Sequence, residues 1–315
     1  HLQGPLMNLA NGSTLVTQFL LLGFPSLGRQ SRELLCALLS LAYAATVVGN
    51  FCIVWAVLRD PRLQRLPMYI LLGNFSWLEI CYVTVTAPRM LYDLLHPGLR
   101  ISFHACFLQF YFFFATGGTE CLLLAAMALD RYLAICHPLR YPVLMSPRRC
   151  WTMVASCWLY SFLWYIAPIV LISQLSFCST YTLDHFLCDP GPLLAVSCSP
   201  DHWAGQICSS MTSFTLFTTF LFILASYGLI LTAVLRLPAG AGRQKAFSTC
   251  TSHLVIVSLF YGSVIVNYAI PMASGGSGKV VTLFYTVATP LLNPLIYSLR
   301  NKEMKKALRR TLLGE

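Results

Sequence analysis

Charge is what this sequence has least of. Of its 315 residues only 10% are Asp, Glu, Lys or Arg, against about 25% in soluble domains, which excludes a water-soluble globule. No clustered His and Cys ligands, no nucleophile beside a base and no phosphate-binding loop can be read, so no enzyme is indicated and no cofactor is called for. Internal repeats and paired broken helices, the marks of many transporters, are missing too. The first thirty residues lack a charged start leading into a continuous apolar core, so no signal peptide is read and the first span is expected to act as signal anchor. The chain begins at His1, and Met7 is a candidate start.

What is abundant is apolar length: 57% of the residues are hydrophobic. Seven runs, residues 34–58, 68–91, 105–135, 151–172, 207–235, 247–270 and 280–299, each reach the roughly 20 residues that cross a bilayer. The expected fold is an all-α membrane protein, a seven-transmembrane helix bundle forming one domain over 1–315. Residues 1–33 are an extracellular N-terminus, 34–299 the bundle and 300–315 a cytoplasmic tail. Basic residues set the orientation. Arg59, Arg62 and Arg65, then Arg131, Arg140, Arg148 and Arg149, then Arg236, Arg243 and Lys245, and finally Arg300, Lys302, Lys305, Lys306, Arg309 and Arg310 all fall on one side, expected to be cytoplasmic at the plasma membrane. The net charge of +10 then reflects this bias and anionic lipid, with no nucleic-acid partner. Asn11-Gly12-Ser13 is a glycosylation acceptor on the outer side; Asn74-Phe75-Ser76 lies inside a span and should carry no glycan. Met304, Leu308 and Leu312 recur at four-residue spacing among Lys and Arg, predicting an amphipathic helix on the inner leaflet.

At 1.5 Å per residue, Glu79 in span 2 and Glu120 in span 3 lie about 16 Å from the cytoplasmic edge, with Asn50 and Asn293 at about 10–12 Å. Isolated carboxylates at that depth are too costly to stay ionised and unpaired. Two readings stay open: a sodium or proton site at Glu79 and Glu120 with the two asparagines, or a polar cluster that only clamps the helices.

In the outer half of span 3, Phe110, Phe114, Gly117, Gly118 and Cys121 share one helical face. Cys208, Met211, Thr212 and Thr215 do so on span 5, and Tyr261, Val264, Ile265 and Tyr268 on span 6; span 7 adds Thr282, Tyr285 and Thr286. Each stripe alone reads as core or lipid contact, but together they suggest a mostly apolar small-molecule site with a few hydroxyls. No acid sits in the outer half of span 3, so an amine ligand is not expected. His253 is read as a hydrogen-bonded interhelical histidine or a pH sensor, and Gly262 as a hinge. Cys106, Cys178, Cys188 and Cys198 all fall on the outer side, where two disulfides are expected; four cysteines allow three pairings. Their spacing does not suit zinc, and the other nine cysteines read as packing residues.

Residues 127–142 read MALDRYLAICHPLRYP. With Gly49-Asn50, Leu66-Pro67-Met68-Tyr69, Ser226-Tyr227, the run Lys245 to Cys250 followed by Ser252-His253, and the run Pro290 to Tyr297, this chain resembles the odorant receptors among the rhodopsin-like (class A) G-protein-coupled receptors, over nearly its whole length. The resemblance implies a small, largely apolar odorant as ligand and a stimulatory, olfactory-type G protein as partner, raising cyclic AMP. It implies the disulfides Cys106–Cys188 and Cys178–Cys198, and a sodium site in the polar layer. It also implies a switch made of Asp130, Arg131, Tyr132, Tyr227, Asn293, Pro294 and Tyr297, in which Arg131 is held by Asp130 at rest. The alternatives are a non-olfactory class A receptor for a lipid or other small molecule, and an ion- or proton-translocating protein.

Overall fold

In hydrocarbon a backbone has no water to bond with, so each apolar run must satisfy its N–H and C=O groups internally. The computed structural model describes residues 16–177, 181–198, 203–236, 240–269, 277–300 and 302–313. The crossing helices are α1 (Arg29–Arg59), α3 (Pro67–Leu95), α4 (Phe103–Cys136), the pair α6 (Pro147–Trp164) and α7 (Ile166–Ser173), α9 (Trp203–Leu235), α10 (Ala241–Ala269) and α11 (Ser277–Arg300). Among the described residues six of these spans are long and apolar enough to cross a membrane, and α10 holds a shorter apolar stretch, Cys250–Ile265. They make the expected seven-helix bundle. Short α2 (Pro61–Gln64), α5 (Tyr141–Leu144) and α8 (Pro190–Ala195) lie in connections, and α12 (Lys302–Leu313) follows α11.

α4 is the central element: 72% of its most apolar stretch is buried, against 28% for α1 and α9, which face outward. The fourth span breaks because Pro168 has no N–H to donate to the Trp164 carbonyl, so α6 closes at Trp164 and the helix restarts after Tyr165. A second proline shapes the α1–α11 contact. Pro294 cannot donate to the carbonyl of Pro290, and Asn50 Nδ2 does so instead at 3.1 Å. A Cβ on Gly49 would stand 3.1 Å from Pro294 Cγ, so glycine there leaves space for the ring.

One end of the bundle carries a small sheet that the hydrophobic pattern did not announce. Strand β1 (Gln18–Leu21) pairs antiparallel with β2 (Arg100–Ser102) and parallel with β3 (Thr182–Leu183), in the order β2-β1-β3. Cys106 at the top of α4 is disulfide-bonded to Cys188, tethering the β3 loop above that helix. At the opposite, basic end, Met304 and Ala307 of α12 are fully buried and Leu308 packs beside them, all within the bundle core; Arg310 pairs with Asp60 at 3.0 Å. The amphipathic helix expected here is present, and it turns Met304 and Leu308 onto the bundle core. The side chain of Leu312 lies outside the described residues.

Candidate ligand cavity and switch

Phe113, Phe114, Gly117, Gly118 and Cys121 stand on one face of α4 and border a cavity of about 60 Å³. Tyr82 of α3, Tyr165 at the α6–α7 break, Thr212 and Leu216 of α9, Phe260 and Val264 of α10 and Tyr285 of α11 complete its wall. The surface is aromatic and apolar, with hydroxyls only on Tyr82, Tyr165, Thr212 and Tyr285. Thr212 Oγ1 is buried without a hydrogen bond of normal geometry, although the Tyr165 side chain is near it. The two glycines differ. A Cβ at 117 would meet nothing closer than Tyr82 Cε2 at 4.0 Å, whereas one at 118 would fall 2.5 Å from Ser161 Oγ and 2.6 Å from Tyr165 Cε2. Gly117 borders open space, and Gly118 lets α4 approach the fourth span.

Below the cavity Asn50, Glu79, Glu120 and Asn293 are all buried. Asn293 Nδ2 donates to Glu79 Oε1, and the Glu120 carboxyl is near enough to Glu79 for their charges to interact. Asn50 Nδ2 is turned to the carbonyls of Thr46 and Pro290. Four oxygens, Asn50 Oδ1, Glu79 Oε2, Glu120 Oε1 and Asn293 Oδ1, have no hydrogen-bond partner among the described residues. A buried acceptor left unmade costs about 1–3 kcal/mol. Hard oxygen donors of this kind suit a proton or a hard cation. Among the described residues no group of three or more His, Cys, Asp or Glu side chains could hold a metal ion, so a cation here depends on the amide oxygens.

At the basic end of α4, Arg131 Nη2 lies 2.9 Å from Asp130 Oδ2. The Tyr141 hydroxyl, from α5, donates to Asp130 Oδ1 at 2.6 Å. Burial and the Asp130 carboxylate push the Tyr141 phenol above its ordinary pKa, so it remains a neutral donor. Tyr132 bonds its hydroxyl to His137 Nε2 at 3.0 Å. About two turns inside, His253 Nε2 stands 3.1 Å from the Leu124 carbonyl, which can only accept, so that nitrogen carries the proton. His253 Nδ1 therefore accepts from the Tyr227 hydroxyl at 2.7 Å.

Comparison with known proteins decides the family. A family model described as olfactory receptor matches residues 39–315. The chain belongs to the olfactory receptor family. The human olfactory receptor 11G2 is 54% identical over 98% of this chain and 90% of its own length. Human olfactory receptor 11H4 is also 54% identical, over 95% of this chain and 93% of its own. The crystal structure of squid rhodopsin superposes with a TM-score of 0.73 at 22% identity, covering 90% of this chain and 81% of that one, and shows the fold. The family is one of receptors rather than enzymes, and the receptor is a multi-pass membrane protein.

Within the receptor, Phe114, Gly117, Gly118, Thr212 and Val264 border the cavity as the helical spacing places them. Phe110 stacks above them, edge-on to Phe114 with centroids 5.0 Å apart. Cys208 is buried at that level, and Met211 offers its carbonyl to Trp164 Nε1 at 3.4 Å. Others of the expected set turn elsewhere. Ile265 is 48% exposed and faces away from the bundle. Tyr261 donates to Thr219 at 2.8 Å, tying α10 to α9. Thr282 and Thr286 are buried, the latter bonded to the Thr282 carbonyl at 2.8 Å and bordering a gap towards α1 and α3. The side chains of Tyr268 and Tyr297 lie outside the described residues, as do Asn11 and Cys178; Cys198 is disulfide-bonded. Helical spacing did not single out Tyr82, Phe113, Tyr165, Leu216 or Phe260 for the cavity, nor Tyr141 for the Asp130 pair. Pro168 was the one local signal that Tyr165 stands at a break.

Proposed function

We propose that the receptor sits in the plasma membrane with its N-terminus and sheet outside and its basic end in the cytoplasm. It binds a small, largely apolar odorant in the cavity beside Gly117, and couples to a stimulatory, olfactory-type G protein that raises cyclic AMP. The observation that carries this reading is the make-up of the cavity wall, aromatic and apolar with hydroxyls only on Tyr82, Tyr165, Thr212 and Tyr285: it offers apolar surface to the body of a ligand and a hydroxyl to one polar group.

The cavity is also too small. About 60 Å³ is well below the roughly 300–1,000 Å³ of drug-sized sites. A ligand must therefore widen it, and a molecule that fits only the widened state supplies the differential affinity that shifts a conformational equilibrium. α10 is the wall best able to yield: among the described residues it packs chiefly on α11 and only lightly on α4 and α9. Moving it pulls on the His253–Tyr227 and His253–Leu124 bonds, which lie between the cavity and Arg131. Release of Arg131 from Asp130 then exposes the face that the G protein reads. Asn50, Glu79, Glu120 and Asn293 would hold a sodium ion or protons through their side-chain oxygens; a proton on each glutamate, or one proton and one sodium ion, would neutralise the two buried carboxyls of the resting state.

The test is cyclic AMP in cells expressing the receptor with an olfactory-type G protein, across a panel of volatile compounds. Gly117→Trp, which fills the open side of the cavity, should abolish every response at matched surface expression. Responses that survive this variant unchanged place the ligand elsewhere.

A further inference from the structure

A second and larger cavity lies at the sheet-bearing end, between the segment that follows β1, the start of α1 and the end of α3. Its volume is about 240 Å³, four times that of the cavity beside Gly117. The chain wraps it with two turns that use left-handed backbone, Gly23 at φ 55° and Gly98 at φ 89°, where a side chain would be strained. Lys279 of α11 fixes the first of these turns by donating to the Gly23 carbonyl at 2.9 Å while pairing with Asp184 at 2.5 Å. Leu20, Phe24, Leu94 and Phe186 give it apolar walls.

Two charged residues border this space, Arg32 and Asp93. The Asp93 carboxylate is already matched: Arg89 reaches it twice, Nε to Oδ2 at 2.9 Å and Nη2 to Oδ1 at 2.7 Å. The neighbouring Arg29 is matched by Glu33 at 2.8 Å, and Lys279 by Asp184. Arg32 is half-buried, and among the described residues its guanidinium has no hydrogen-bond or ion-pair partner. The uncompensated charge of the cavity is thus one cation, whose planar donor fork matches a carboxylate.

We propose that this cavity is a second ligand site, taking a small carboxylic acid with a short apolar tail, its carboxylate on Arg32 and its tail among the leucines and phenylalanines. An inorganic anion would leave the apolar walls unused, an uncharged odorant would leave Arg32 unpaired, and a zwitterion would find Asp93 already occupied. The site stands apart from the cavity beside Gly117, and its test does not pass through the odorant response.

The test is direct binding of hexanoate and of 1-hexanol to the purified receptor in nanodiscs, by saturation-transfer NMR, with empty nanodiscs subtracted. Hexanoate should bind saturably and more tightly than 1-hexanol. Arg32→Gln should weaken hexanoate at least tenfold and leave 1-hexanol unchanged, while Arg32→Lys retains most of the hexanoate affinity. Equal binding of acid and alcohol, no effect of Arg32→Gln, or a hexanoate signal no larger than that of empty nanodiscs would overturn the proposal.

Discussion

Two adjacent glycines on α4 should respond oppositely to the same added methyl. At 118 the new Cβ would overlap Ser161 Oγ and Tyr165 Cε2, at 2.5 and 2.6 Å, and neither can swing away, since Ser161 and Tyr165 are 1% and 3% exposed. Overpacking of this kind costs about 1–3 kcal/mol. Displacing Ser161 also disturbs its 2.7 Å bond to the Ala115 carbonyl, worth about 1 kcal/mol. The helix propensity gained on replacing Gly by Ala returns about 1 kcal/mol. Gly118→Ala should therefore destabilise the receptor by about 1–3 kcal/mol net. At 117 the nearest atom would be 4.0 Å away, so only the propensity gain remains and Gly117→Ala should be neutral or stabilising by up to about 1 kcal/mol. Thermal unfolding of the purified variants, followed by a thiol-reactive dye on the buried cysteines, would separate them, with Gly118→Ala melting several degrees below Gly117→Ala. Equal midpoints, or the reverse order, would refute the close approach of α4 to the fourth span.

Asn50→Ala removes the donor that replaces Pro294 at the Pro290 carbonyl, so thermal stability should fall by about 1–3 kcal/mol, and a parallel Asn74→Ala, which loses a bond to its own helix at Ile70, should cost less. Tyr141→Phe removes a 2.6 Å donor from Asp130 and should loosen the resting Asp130–Arg131 pair, raising basal cyclic AMP without ligand; unchanged basal signalling would mean that Tyr141 plays no part in holding the resting state. His185 of the β3 loop is held to a pKa of about 4 by burial and by the Lys279 cation, below its ordinary 6.5. Its neutral ring accepts from the Leu187 amide at 3.0 Å, so its contribution is full above pH 6.5 and is lost as pH falls towards 4. With 1.36 kcal/mol per unit, the loss is at most about 3 kcal/mol. Protection factors of the amides at 184–188 should fall between pH 7 and pH 5, and His185→Gln should remove most of that dependence.

Much of the bundle was legible because membrane physics leaves few options: an apolar run of sufficient length must be a helix, and Asp130-Arg131 at the foot of one must be paired or placed at an edge. A proline at 294 also shows that the Pro290 carbonyl lacks its helical donor, though not that Asn50 replaces it. What sequence could not supply was rotation. Helical spacing groups Tyr261, Val264 and Ile265 on one broad face of α10, yet only Val264 borders the cavity, while Tyr261 bonds across to α9 and Ile265 points away. Nor could it supply pairings between distant segments, which is why β1, four residues long, reads as loop until β2 and β3 are beside it. Tyr141 escaped notice for the same reason: its contact with Asp130 depends on how the α4–α6 connection folds back.

On the proposed function α4 links a ligand cavity to the Asp130–Arg131 pair, with Cys121 and Arg131 about 15 Å apart along one helix at 1.5 Å per residue. Its most direct test is nucleotide exchange on a purified olfactory-type G protein by the receptor in nanodiscs, with an activating odorant, comparing wild type with Arg131→Ala and measuring odorant binding to both. The account predicts that Arg131→Ala still binds the odorant and no longer accelerates exchange. Exchange that persists in Arg131→Ala would contradict it.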